Sequence, residues 1–169
     1  ELSLLKKITA LGKLSTIQQT GPLGTGSAVL NAQKYISQNE VFLVLYGDDL
    51  FITTPSNTSQ LIETYNKFQV PVLTGIKPTN PEGRNLYAFA EVEQIDNDTF
   101  NLLKLHEKPQ DRYPNLNIAV VSGYILDNDI FDSLTKISKS LKPGEELKLT
   151  DAINDMLLQK KKIVIRLVT

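Results

Sequence analysis

The run Val41-Phe42-Leu43-Val44-Leu45-Tyr46 constrains the chain most, because it is apolar or aromatic throughout and closes on Gly47-Asp48-Asp49. A strand with this pattern is predicted to lie inside a parallel sheet with both faces covered, which requires helices on either side of it in the chain. The flanks supply them. Upstream, Ala28, Val29, Ala32, Tyr35 and Ile36 recur at helical spacing. Downstream, Pro55-Ser56-Asn57 opens a helix with Leu61, Ile62, Tyr65 and Phe68 on its buried face, and Val70 to Ile76 reads as the next buried strand. With Leu14 to Gln18 as a short first strand, the order is β-α-β-α-β. Ahead of it, Leu2, Leu4, Leu5, Ile8 and Leu11 make a helical stripe ended by Gly12.

After Ile76 the period changes. Leu86 to Val92, Phe100 to Leu105 and Ile118 to Leu126 read as strands without intervening helices, separated by polar turns such as Asp96-Asn97-Asp98. Ile130 to Ile137 and Thr150 to Gln159 are predicted helices, and Lys162 to Val168 a final strand. The expected fold is α/β: a mixed, mostly parallel sheet with helices on both faces and an antiparallel insertion. The 169 residues carry no internal repeat, low-complexity segment or linker, so residues 1–169 are expected to form a single domain.

Composition narrows the chemistry. Eighteen basic against nineteen acidic side chains leave a net charge of -1, which gives no electrostatic argument for a nucleic-acid partner. Cysteine is absent and histidine occurs once, at His106, so thiolate nucleophiles and multi-histidine metal centres are excluded and carboxylates are the expected metal ligands. No apolar stretch reaches bilayer length, and the start lacks both methionine and a signal's charge order. The expectation is a soluble, cytoplasmic protein without a membrane partner, cut from something longer.

Three stretches bear chemistry. Gly21, Gly24 and Gly26, between a strand and a helix, let backbone amides approach a ligand, or simply make a tight turn; Gln19 before them offers a donor and an acceptor to a nucleobase edge. Asp48 and Asp49 follow the apolar strand, where α/β sheets bind ligands, and a carboxylate there can hold Mg²⁺ or cap a turn. Adjacent side chains diverge, so one of the two is expected to be a ligand. Glu107-Lys108-Pro109 pairs an acceptor suited to sugar hydroxyls with a cation suited to phosphate, or is an ordinary exposed loop. His106 beside it reads as structural or solvated.

Together these stretches resemble the nucleotide-sugar pyrophosphorylases, most closely the bacterial and archaeal UTP-glucose-1-phosphate uridylyltransferases. Gln19-Thr20-Gly21-Pro22-Leu23-Gly24-Thr25-Gly26-Ser27-Ala28-Val29 is similar to the family's uracil-binding glutamine and Gly-x-Gly-x-Ala-Val turn. Leu45-Tyr46-Gly47-Asp48-Asp49-Leu50 is similar to its metal-binding strand end. Leu105-His106-Glu107-Lys108-Pro109 with Asn117-Ile118-Ala119-Val120 resembles the segments around the sugar phosphate, and Gly144 to Ile153 resembles the Gly-Glu-Ile-Gln-Leu-Thr-Asp-Ala-Ile signature. The resemblance implies a Rossmann-like, glycosyltransferase-A-like nucleotidyltransferase fold. It implies uracil at Gln19 and Gly24, ribose at Gly47, Mg²⁺ at Asp48, a sugar pocket at Ala88, and glucose and its phosphate at Glu107 and Lys108, with Asp48 and Lys108 catalytic. UTP and glucose 1-phosphate are the implied substrates, and a homo-oligomer is expected of the full-length parent.

The sequence departs from the family where Ala88 replaces glycine, Lys148 glutamine and Gly123 arginine. Nothing before Gln19 matches the family's Gly-x-Gly-Thr-Arg triphosphate loop, and the chain stops before a second metal-binding aspartate. A central fragment, inactive by itself, is therefore expected. Thymidylyl transfer, or transfer of another nucleotide to a sugar 1-phosphate, is the alternative within the enzyme reading. Outside it stand a non-catalytic nucleotide-sugar binding module and a metal-dependent glycosyltransferase, the latter disfavoured because its two aspartates are normally spaced by one residue.

Overall fold

The computed structural model describes residues 2–78, 85–110 and 112–168. An opening helix, α1 (Leu2–Thr9), forms as expected, although the side chains of Leu4, Leu5 and Ile8 from its predicted stripe lie outside the described residues. The elements that follow are α2 (Thr25–Ala32), β1 (Phe42–Val44), α3 (Asn57–Phe68), β2 (Val72–Ile76), β3 (Ala88–Gln94), β4 (Thr99–Glu107), β5 (Ile118–Leu126), α4 (Asp129–Ser138), α5 (Leu149–Leu158) and β6 (Val164–Leu167). Among the described residues, no helix is long and apolar enough to cross a membrane.

The strand buried along its whole length is β5, not β1. β1 is a three-residue strand paired antiparallel with β5, Phe42 opposite Leu126 and Val44 opposite Tyr124. Side chains alternate along it: Phe42, Val44 and Tyr46 pack on the core, with the Phe42 ring stacked on Phe131 at 5.3 Å, while Leu43 and Leu45 are exposed. An unbroken apolar run therefore stands here for a strand covered on one face, a distinction that composition alone does not carry. The strand expected at Leu14 to Gln18 is irregular, exposed chain. It pairs with no described strand, and an unpaired strand gains no ladder hydrogen bonds.

The sheet order is β1-β5-β2-β6-β4-β3, and β3 pairs back on β5. Adjacent strands are mostly antiparallel; the parallel pair is β2 with β6, which corrects the expectation of a mostly parallel sheet. The physical reason is β5, which runs between β1 and β2 and opposes both, so the β1-α3-β2 crossover skips a strand. Helices cover both faces as expected. Leu61 of α3 packs on Val72, Ile125 and Val164, whereas α2, α4 and α5 cover the alternate residues Leu73, Tyr124, Leu126 and Ile165.

β2 occupies one edge of β5, so β1 and β3 share the other: β1 meets residues 124–126 and β3 meets residues 118–120. Between them the β5 edge at Val121, Ser122 and Gly123 is left to loops. A cleft opens there.

Candidate functional site

The glycine turn is built against the segment before α5. Leu147 N–H donates to Leu23 O at 2.7 Å, Gly26 N–H donates to Leu147 O at 2.9 Å, and Leu149 N–H donates to Thr25 Oγ1 at 3.2 Å. Gly24 has φ 112, and a Cβ there would stand 2.4 Å from Leu147 O. Close approach of the protein's own backbone thus requires this glycine, and the Gly26 amide is already occupied. Upstream, the Asn31 amide holds the Thr20 backbone, accepting from Thr20 N–H at 3.2 Å and donating to Thr20 O at 2.9 Å. Gln19 is exposed and donates to Gly24 O at 3.4 Å.

Beyond β1, Tyr46 N–H donates to Ser122 Oγ at 2.7 Å and Ser122 N–H donates to Asp49 Oδ2 at 3.0 Å. These bonds fill part of the open β5 edge with the loop of residues 46–49. Asp49 is tied down, whereas Asp48 is exposed and has no hydrogen-bond or ion-pair partner among the described residues. The two adjacent side chains thus differ in their surroundings. Gly47 is exposed with open space where a Cβ would be, so sterics do not demand glycine.

At the end of β4, Glu107 pairs in register with Ala88, which in turn pairs with Val120. Thr150 Oγ1 donates to Glu107 Oε2 at 2.9 Å. Lys108 turns the chain sharply in the left-handed region, φ 42, and makes no ion pair with a described residue. His106 points away from this group. Its Nε2 lies 3.2 Å from Glu91 Oε2 and its ring 4.0 Å from that of Tyr113, which agrees with the structural reading.

These segments surround one cleft of about 470 Å³. Gly24, Asp48, Ala88, Glu107 and Lys108 line it, with Asp49, Thr25, Tyr46, Ser122, Tyr124, Lys148 and Thr150. Gln19 instead lines a neighbouring apolar groove of about 680 Å³ that shares Gly24, Thr25 and Tyr46 as a wall. Gly47 belongs to neither wall. The floor is a pair of tyrosines, Tyr46 and Tyr124, with ring centroids 5.6 Å apart. Burial pushes both hydroxyls above the ordinary value of 10.0, against the hydrogen bonds from Tyr124 and Thr25 that lower Tyr46. Neutral hydroxyls thus form the floor across the physiological range.

No three His, Cys, Asp or Glu side chains gather to hold a metal among the described residues. The carboxylate of Asp48, unpartnered among the described residues, fits Mg²⁺, which commonly takes one or two carboxylates and completes its shell with water and substrate phosphate oxygens. Glycine at position 123 has a local reason. Its φ is 106, a Cβ would stand 2.4 Å from Thr74 Oγ1, and that hydroxyl donates to Gly123 O at 2.8 Å.

The profile of the nucleotidyl transferase family matches residues 2–167. The chain belongs to this family. Among curated relatives of this nucleotidyltransferase domain, UTP-glucose-1-phosphate uridylyltransferases of Bacillus subtilis and Streptococcus pyogenes are each 31% identical, matching 92% of the chain. Each match covers 51% of the relative, so the domain spans about half the length of the curated relatives it matches. A crystal structure of a UDP-glucose pyrophosphorylase complexed with UDP-glucose superposes with a TM-score of 0.88 at 27% identity, over 99% of this chain and 63% of that one. The UTP-bound enzyme of Acinetobacter baumannii superposes with a TM-score of 0.77 at 26% identity.

Proposed function

We propose that this domain, within a chain of its relatives' length, transfers the uridylyl group of UTP to glucose 1-phosphate, giving UDP-glucose and pyrophosphate. The observation that carries the reading is convergence: Gly24, Asp48, Ala88, Glu107 and Lys108, from four separate stretches of sequence, line one cleft. The relatives of matching sequence are named for this reaction, and a neighbour of matching fold holds its product.

In this reading a phosphate oxygen of glucose 1-phosphate attacks the α-phosphorus of UTP, and the bond to the pyrophosphate leaving group breaks. No protein nucleophile is needed; the domain positions the two phosphates and offsets their charge. The Lys108 ammonium, without an ion pair among the described residues, is the cation for the sugar phosphate, and its left-handed backbone places it on the cleft wall beside Glu107. Glu107, with one oxygen held by Thr150, presents the other to sugar hydroxyls. Gln19 and Gly24 address the uracil edge from the groove and wall they share, and Gly47 the ribose. The carboxylate of Asp48 would hold Mg²⁺, which when bound neutralises developing charge on phosphate oxygens.

The test is a panel of UTP, dTTP, CTP, ATP and GTP against several sugar 1-phosphates, scored by pyrophosphate release from a full-length protein carrying this domain. UTP with glucose 1-phosphate should give the highest kcat/KM. Binding of UDP-glucose with no turnover of any pair would replace the enzyme with a binding module, and preference for dTTP would move it to thymidylyl transfer.

A further inference from the structure

Helix α5 meets the end of strand β4 through two side chains, Asn154 and the cleft-lining Thr150. Asn154 makes a paired contact with the β4 backbone: its Nδ2 donates to Leu105 O at 2.9 Å and its Oδ1 accepts from Leu105 N–H at 2.8 Å. One helical turn earlier, Thr150 Oγ1 donates to Glu107 Oε2 at 2.9 Å. The spacings match. Four helical residues advance about 6 Å, and two strand residues advance about 6.6 Å, so two contacts on one helix face reach alternate residues of the strand. α5 acts as a ruler laid along β4.

We propose that Thr150 is a positioning residue that fixes the Glu107 carboxylate for the sugar half of the substrate, with Asn154 setting the register that lets it do so. The inference rests on the uridylyltransferase reading for the identity of the substrate, but not for the geometry. In the first turn of a helix a threonine hydroxyl commonly accepts a backbone N–H or faces water. That of Thr150 instead gives its single proton to Glu107, across 43 residues of chain.

Glu107 is exposed and makes no ion pair with a described residue, so without this bond its several rotamers would be free. With Oε2 held, Oε1 is left in a defined place to accept from a ligand. Thr150 is itself held, because Leu149 beside it donates to Thr25 Oγ1, and the apolar face Leu149, Ala152, Ile153 and Met156 is buried. The same helix start therefore braces the glycine turn on one side and the sugar-binding carboxylate on the other.

The test uses a full-length protein carrying the domain, with Thr150→Val, which keeps the shape and removes the donor, and Thr150→Ser, which keeps the donor. Thr150→Val should raise KM for glucose 1-phosphate about tenfold, the size of one hydrogen bond to a charged group, while KM for UTP changes less than about twofold. Thr150→Ser should restore most of the loss. Equal effects on both substrates, an unchanged KM for glucose 1-phosphate, or a serine variant as impaired as the valine one would overturn the proposal.

Crystal structures of wild type and Thr150→Val separate this outcome from failure of the functional reading. A wild-type protein inactive on every pair of the panel refutes the reading alone. The proposal then stands if Glu107 leaves its rotamer in the valine variant while the Asn154 to Leu105 pair persists, and falls if Glu107 stays in place.

Discussion

Ser122 N–H donates to Asp49 Oδ2 at 3.0 Å, and this bond sets the surroundings of Asp49 apart from those of its neighbour Asp48. Asp49 spends an oxygen on the open edge of β5, whereas Asp48, on the same cleft wall, has no partner among the described residues. Asp48→Asn should therefore lower kcat of a full-length protein by about two or more orders of magnitude with little change in Tm, as loss of charge stabilisation in phosphoryl transfer does. Asp49→Ala should do the reverse in emphasis, costing about 1–3 kcal/mol of stability through an unsatisfied amide at Ser122. Thermal melts and steady-state kinetics on both variants check the division, and equal losses of activity at equal Tm would contradict it.

Gly24→Ala should destabilise the fold more than an ordinary surface change. The added Cβ meets Leu147 O at 2.4 Å, and φ 112 is strained for any L side chain. A loss of about 1–3 kcal/mol is expected, the range for a residue forced into such a conformation. Gly47→Ala is the control, because a Cβ there meets nothing within 4 Å. Chemical denaturation of both variants should show a lower midpoint for Gly24→Ala only.

The expected site residues that line the cleft, which do not include Gln19 or Gly47, were legible because the pattern that marks them is local in sequence. The glycine turn, the aspartate pair after β1 and Glu107-Lys108 each announce themselves by residue type at a strand end, and all reach the cleft. Ser122 and Tyr124 were not legible. They lie within β5, whose apolar pattern marks it as core, and only the pairing of β1 and β3 on one edge shows where that strand is uncovered. Thr150 sat inside a recognised signature, yet its partner is fixed by how α5 lies along β4, a tertiary fact. The α/β class was legible, but strand direction was misread for the same reason: apolar runs mark strands, while order and direction depend on β5 entering between β1 and β2.

Lys108→Met keeps the stem of the side chain and removes its charge. Lys108 has no ion-pair partner among the described residues, so the change strands no carboxylate among them and stability should hold. KM for glucose 1-phosphate should rise at least tenfold, in keeping with loss of a charge-assisted contact to phosphate, and KM for UTP should move far less. An unchanged constant for the sugar phosphate would return Lys108 to an ordinary loop residue.

Gln19→Ala tests base selection. The side chain is exposed and its one bond among the described residues, 3.4 Å to Gly24 O, is long, so removal should leave Tm within a degree or two. If the amide reads the uracil edge, preference for UTP over CTP should fall by about tenfold, the discrimination expected of one or two hydrogen bonds. Competition between the two nucleotides in one assay measures the ratio directly, and a ratio equal to wild type would assign Gln19 to the turn alone.

The turn between β3 and β4 carries an acid-sensitive contact far from the cleft. The Lys67 ammonium, donating at 2.8 Å, holds the Asp96 carboxyl at about 2 against its ordinary 3.8, helped by hydrogen bonds from Thr99 and Asp98 and opposed by partial burial. A depressed folded value means that the folded state binds this proton less readily than the unfolded state. Its stabilisation is therefore complete above pH 3.8 and is lost as pH falls toward 2. Both partners are more than a third exposed, so solvent screening keeps the contribution to no more than about 1 kcal/mol. Asp96→Asn retains the Oδ1 that accepts from the Asp98 and Thr99 amides and removes only the charge. The Tm difference between wild type and Asp96→Asn should be constant above pH 4, shrink between pH 4 and pH 2, and diminish in high salt. A difference that does not narrow with acid would show that the Lys67 pair adds nothing and that the turn is held by its backbone bonds.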